Sequence, residues 1–154
     1  MPGTLQSFLA RAIPKAVADL EEALLRLPED KRSWAPAETS RSAMNQVAEV
    51  AILNGNVADT ITNRSFPADF SMDEYMRLAK AYESDWSALK TTLEANSERA
   101  VSAILGVGDD ELTIEIDTPF ARLSLEQMVS YPYWNTCYHE GQINYIASIL
   151  GCLN

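Results

Sequence analysis

Apolar residues recur at the three-and-four spacing of a helix along most of the chain, and the pattern is interrupted by prolines, glycines and polar turns. Residues 4–27 carry Leu5, Phe8, Leu9, Ala12, Val17, Leu20, Leu24 and Leu27 on one face. Pro14 lies inside that segment. A proline removes one main-chain hydrogen bond and crowds the preceding turn, so a kink or restart near Ile13 is expected. Pro28 closes the helix, and a polar connection follows in which Trp34 reads as an anchor laid over the end of a core.

Ser40 or Ser42 caps a second helix that runs to about Asn63. It has two faces. Met44, Ala48, Ala51, Gly55, Ala58 and Thr62 form a small-residue stripe that allows close approach of a neighbour, either inside the molecule or across a two-fold axis. Asn45, Glu49, Ile52, Asn56 and Asp59 form a mostly polar stripe that reads as a solvated face. Glu49 adjoins the small stripe and can instead point inward. Ser71-Met72-Asp73-Glu74 is a capping box opening a third helix to about Asn96. Its stripe of Tyr75, Leu78, Ala79, Tyr82, Trp86, Leu89 and Leu93 reads as core rather than as a cofactor platform. A short further helix is expected over residues 97–105. Residues 112–117, L-T-I-E-I-D, alternate like a short strand, and residues 121–123 can pair back with it.

The last helix runs from Ser124, with Gln127 three residues on, to Gly151, which sits where a left-handed cap belongs. One stripe along it holds Leu125, Met128, Pro132, Asn135, His139, Gln142, Ile146 and Ile149. The ends of the stripe are apolar and its middle is Asn, His and Gln. Polar groups in the middle of a buried seam are unfavourable unless they are paired, so this is where a functional site is expected. Four long helices with a longer connection before the last predict an all-α fold. It is an antiparallel four-helix bundle with a short β-hairpin before the last helix, and residues 1–154 form a single domain. Bundles of this kind build their sites in the core from side chains on facing helices.

Composition narrows the function classes. The formal net charge is −10 over 154 residues, which argues against a basic surface for nucleic acid or for an anionic membrane; neither is expected as a partner. No apolar run approaches the roughly 20 residues of a membrane span, and the first residues lack a basic segment followed by an apolar core. Cys137 and Cys152 do not make a disulfide framework, and a reducing cytoplasm is the expected compartment. Cys137 stands two positions from His139. Residues two apart on a helix point away from each other, which speaks against a Cys–His nucleophile pair. Tyr131, Tyr133, Trp134, Tyr138 and Tyr145 line a pocket or cover a subunit interface, and Gly141 is read as serving close helix contact.

The segment Tyr138-His139-Glu140-Gly141-Gln142-Ile143, with its apolar run to Gly151, resembles the ending of the DinB/YfiT-like four-helix-bundle superfamily, His-x-x-x-His-x-Gly-Gln-Ile. Ser33-Trp34-Ala35-Pro36, leading into a Ser-capped helix, resembles that family's Trp-x-Pro loop. The resemblance implies a divalent metal, nickel or zinc, held by three histidines at the mouth of the bundle. It also implies a metal-dependent hydrolase or a thiol-dependent transferase in some members, and frequent homodimers. Carried over by position, the three metal ligands fall on Glu49, Asn135 and His139. His139 is the single histidine of the chain.

A carboxylate, an amide oxygen and one imidazole make a hard, weak donor set compared with the nitrogen and sulfur that zinc prefers. Two readings follow. In the first, the metal site is degenerate: Glu49 and His139 pair directly, Asn135 and Gln142 complete the hydrogen bonds, and the pocket takes a small ligand. In the second, an enzyme uses Glu49, Asn135 and His139 as altered metal ligands, with a metal-bound water as nucleophile.

Overall fold

The computed structural model describes residues 1–153; Asn154, the last residue of the expected 1–154 domain, lies outside them. The described chain forms α1 (Thr4–Arg26), α2 (Ala43–Asn63), α3 (Met72–Tyr82), α4 (Trp86–Leu105), β1 (Glu115–Asp117), β2 (Arg122–Ser124) and α5 (Leu125–Ile149). The four long helices α1, α2, α4 and α5 make the bundle. Around it α2 lies between α4 and α5, and α1 closes the ring between the same two helices. Consecutive α1 and α2 therefore stand diagonally, which the connection of residues 27–42 allows. Leu9, Ile13, Leu20, Val47, Leu93 and Ile143 fill the centre.

Pro14 does not divide the first helix, contrary to expectation: α1 runs unbroken from Thr4 to Arg26. The proline lacks only one donor, and Ile13, Ala16 and Val17 beside it are all buried. That packing outweighs the lost bond.

The third segment differs more. The predicted helix over residues 71–96 is two helices, and the predicted short helix over residues 97–105 is the continuation of the second. Asp85 decides the break, because its carboxylate accepts the Ala88 N–H at 2.9 Å and so starts α4 afresh. The aromatic stripe is divided with it. Leu89 and Leu93 of α4 are core, whereas in α3 only Ala79 is buried and Tyr75 and Tyr82 are half-buried. The Ser71 cap is as expected, accepting from the Glu74 N–H.

Ser42 caps α2 by accepting from the Asn45 N–H. The helix ends at Arg64, whose φ of 54° is the one left-handed non-glycine residue described. Its guanidinium donates to the Ile61 carbonyl and to Glu111 at 2.7 Å, ties that hold the strained turn. The small-residue stripe of α2 packs inside the bundle, against α4. A Cβ built on Gly55 would lie 2.7 Å from Asn96 Nδ2, and that amide donates to the Ala51 carbonyl at 2.8 Å. Thr62, at the end of the stripe, is exposed.

The hairpin forms, though shorter than the alternation suggested. Glu115 faces Ser124 and Asp117 faces Arg122 in antiparallel register. Residues 112–114 instead leave a short 3-10 turn, and their carbonyls accept the first two N–H groups of α5: Leu125 donates to Ile114 and Glu126 to Leu112. The hairpin thus anchors the start of α5. Ser124 and Gln127 complete the reciprocal cap at 3.2 and 2.9 Å. At the other end Gly151 takes φ +70°, the left-handed position its placement implied. Trp34 packs half-buried against the core, as an anchor should. Among the described residues, no helix is long and apolar enough to cross a membrane.

Candidate functional site

Helical spacing brings the polar middle of α5 against α2. His139 is buried, and its Nε2 lies 3.0 Å from Oε1 of Glu49. Its Nδ1 lies 3.0 Å from Oε1 of Gln46 and 3.0 Å from Oε1 of Gln142. Gln46 is one turn before Glu49 on α2, and Gln142 is one turn after His139 on α5, so each helix contributes a pair at the i, i+3 spacing. Both ring nitrogens face oxygens, and an N–H on either nitrogen donates to its neighbour. The second oxygen of Glu49 accepts from the Arg41 guanidinium and, at 3.4 Å, from the Tyr75 hydroxyl. Arg41 is itself oriented by Asn45, whose side-chain oxygen accepts its Nε–H at 2.7 Å.

These contacts set the charges. Burial raises the Glu49 pKa, but the hydrogen bonds from His139 and Arg41 and their nearby charges outweigh it and hold the carboxyl down at about 2. Burial, followed by the Glu49 charge, pushes the Tyr131 phenol up to about 12 and raises Tyr75 in the same direction. Glu49 therefore stays a carboxylate and both tyrosines stay neutral around it.

Of the three positions expected from sequence, Glu49 and His139 touch directly. Asn135 lines the same pocket but does not join the network. It is buried, 2% exposed, and its Nδ2 has no hydrogen-bond partner. This corrects the expectation that Asn135 completes the hydrogen bonds; Gln46 does so instead, together with Gln142. Gln46 was legible in principle, three residues before Glu49 on one helix. Arg41 was not, because it precedes the cap of α2 and only the path of the loop turns it inward. Among the described residues, no three His, Cys, Asp or Glu side chains converge in the manner of a metal site.

A pocket of about 790 Å³ opens over this network. Its floor is Gln46, Glu49, Asn135, His139 and Gln142, and one wall is the loop of Pro36, Thr39 and Ser40. The opposite wall is a row on α5 of Trp134, Tyr138 and Tyr145, exposed at 57%, 51% and 70%. The Trp134 and Tyr138 rings stack at 5.4 Å with 21° between their planes. Gly141 lies in this row with nothing within 4 Å of a Cβ placed on it, so it leaves the wall open rather than serving close helix contact. Cys137 is half-buried away from the pocket. Burial pushes its thiol up, which is the opposite of an activated nucleophile. A second groove of about 790 Å³ lies between α2 and α4, but its cations are already paired, Arg64 with Glu111 and Arg99 with Asp59.

No family model and no curated protein matches the chain by sequence. Solved structures do match in fold. A conserved protein from Enterococcus faecalis superposes with a TM-score of 0.74 at 16% identity, covering 98% of this chain and 99% of that one. The colibactin self-resistance protein ClbS, crystallised in complex with double-stranded DNA, superposes with a TM-score of 0.64 at 18% identity, covering 93% of this chain and 95% of that one. The mycothiol-dependent maleylpyruvate isomerase gives a TM-score of 0.69 at 12% identity, with 90% of this chain matched to 60% of the isomerase. The chain shares its helical-bundle fold with these proteins. Proteins with this fold differ in activity, so the fold alone assigns none. The expected exclusion of nucleic acid does not stand, because ClbS shares the fold and is seen bound to a DNA duplex. Net charge is a sum over the whole surface and does not describe any one face of it.

Proposed function

We propose that this chain, a bundle of DinB/YfiT-like fold, binds a small molecule in the pocket between α2 and α5 and does so without a tightly held metal. The observation that carries this reading is the occupancy of the Glu49 carboxylate, one oxygen on the His139 ring and the other on the Arg41 guanidinium. Zinc takes a bare ring nitrogen and a carboxylate oxygen at about 2.0–2.2 Å each. Here only two side chains of the kinds zinc favours, His139 and Glu49, stand together, and among the described residues no third His, Cys, Asp or Glu joins them. Each ring nitrogen faces an oxygen that calls for an N–H, and Arg41 already brings positive charge to the carboxylate. The set Glu49, Asn135 and His139 therefore does not fit a nickel or zinc centre. Conversion of the three-histidine pattern into an ion-paired pocket accounts for Glu49 and His139, with Asn135 outside the network.

The pocket has the volume and composition of a ligand site, with an aromatic wall, a small number of polar groups and an amide donor on Asn135 left unpaired. That nitrogen has no open surface of its own, so a ligand carbonyl would satisfy it once the Asn135 amide turns toward the pocket. The two unpaired cysteines suit the reducing cytoplasm, and the homodimer expected from the resemblance belongs to the same proposal, tested by sedimentation equilibrium.

The test is elemental analysis of protein purified without added metal, together with thermal melts in the presence and absence of chelator. Metal-free protein with an unchanged melting temperature supports the proposal. Stoichiometric nickel or zinc that disappears in His139→Ala would overturn it in favour of the altered metal centre. A melting-temperature screen of small amides and aromatic compounds then reports binding directly. Duplex DNA belongs in that screen because ClbS carries it.

A further inference from the structure

A second, apolar cavity lies behind the polar pocket. It measures about 220 Å³ and is lined chiefly by Leu53, Val57, Leu123 and Met128 under a cover of phenylalanines. The cover is Phe66 and Phe70, from the connection between α2 and α3, and Phe120, from the hairpin turn. Their rings meet edge to face at 5.3, 5.8 and 6.3 Å. No helix closes this side. Two loops do, and Phe120 remains 66% exposed in the process. The cavity is partly open to solvent, and its volume has room for a phenyl ring or a short alkyl chain.

The cavity adjoins the polar pocket. Tyr131 lines both, and a recess of about 280 Å³ shares Glu49 and Tyr131 with the polar pocket and Leu53, Phe70, Phe120 and Tyr131 with the cavity. Tyr131 thus stands between a hydrogen-bonding pocket and an apolar one. Its phenol, pushed up to about 12 chiefly by burial, sets no charge against the apolar side.

We infer that the ligand of the proposed pocket is amphipathic: an amide-like or other hydrogen-bond-accepting head at Asn135 and Gln142, joined to an apolar end of phenyl size that passes Tyr131 into the cavity beneath Phe66, Phe70 and Phe120. This rests on the ligand-binding reading of the polar pocket and specifies the chemical class that reading leaves open.

Methyl-labelled protein tests it, with Met128 and Leu53 as reporters of the cavity and the side-chain amides of Asn135 and Gln142 as reporters of the polar end. Three probes are titrated: benzene, butanamide and 4-phenylbutanamide. The expected result is that benzene shifts only the methyl reporters, butanamide only the amides, and 4-phenylbutanamide both, binding at least about tenfold more tightly than either fragment because one molecule engages two sites. Val57→Phe, which fills the cavity, should abolish the methyl shifts and return 4-phenylbutanamide to the affinity of butanamide. Phe120→Ala, at an exposed turn, should weaken 4-phenylbutanamide several-fold and leave butanamide unchanged, and it serves if Val57→Phe does not fold. Butanamide binding with silent methyl reporters for all three probes would overturn the inference and leave the polar pocket standing. Silence at the amides would remove the polar pocket itself. Benzene binding with no gain for the joined probe would show two unconnected sites and would also overturn the inference.

Discussion

Two seams run along α2, and they are built on opposite terms. Against α4 the helix is small and close: Gly55 lets Asn96 reach the Ala51 carbonyl, and the buried Asn54 amide donates to Ser97 at 3.0 Å. Against α5 the same helix presents Gln46 and Glu49, and the space in front of them is a pocket. In the first seam polar side chains serve the packing. In the second the packing stands back from a set of charges that satisfy one another, and one donor, Asn135 Nδ2, is left over. The closed seam also leaves one buried polar atom without a partner, the acceptor Asn54 Oδ1, but no pocket lies over it. Asn135 differs in lining a pocket, which is why the proposed ligand is placed there.

The contrast can be broken most forcefully at Gly55. Gly55→Leu would push a branched side chain into Asn96, and we expect about 3 kcal/mol of destabilisation by urea unfolding, with the α2–α5 pocket affected only through global unfolding. A change of under about 1 kcal/mol would mean that the α2–α4 seam is not tight.

Acid should break the other seam. The Glu49 carboxyl is held at about 2 in the folded protein against an ordinary value of 4.5. Its folded value is the depressed one, so its contribution is fully present above about pH 5 and is lost as pH falls toward about 2. The depression corresponds to about 2–3 kcal/mol, taken at the lower end because the side chain keeps 17% of its surface exposed. Glu49→Gln should remove that part of the acid dependence, seen as a flatter stability curve between about pH 5 and pH 2. An unchanged curve would show that the Arg41 and His139 contacts do not stabilise the ionised form.

The smallest effects separate the two kinds of buried amide. Ser97→Ala strands the Asn54 donor and should destabilise by about 1–2 kcal/mol. Asn135→Leu removes a donor that has no partner, so stability should change by less than about 1 kcal/mol, while binding of amide probes in the pocket is lost. Equal losses at the two positions would mean that Asn135 is structurally satisfied after all.

Much of the fold was readable in advance, because capping residues and helical periodicity act over a few neighbours. Ser42, Ser71 and Ser124 cap the helices they were expected to cap, and Gly151 takes the left-handed turn. The break at Asp85 was missed for a related reason: an aromatic stripe continued in register across it, and one local cap overrode a longer periodic signal. The pairing of Glu49 with His139 could be proposed from two separate helices, since each residue belonged to a stripe of known direction. Gln46 shared that stripe logic and was overlooked. Arg41 had no stripe to belong to, and its arrival at the carboxylate depends on a loop whose course no periodicity encodes.

By itself, the order of residues determined the helices, most of their ends, the hairpin and the two chemical faces of α2, because each of these is settled by groups within a turn or two of one another. Only the assembled bundle decided which face of α2 meets which helix, that Arg41 takes the second oxygen of Glu49, that Asn135 is left without a partner, and that a polar and an apolar chamber meet at Tyr131. Those outcomes depend on residues dozens of positions apart being brought within hydrogen-bond reach, and that is a property of the packed whole rather than of any segment.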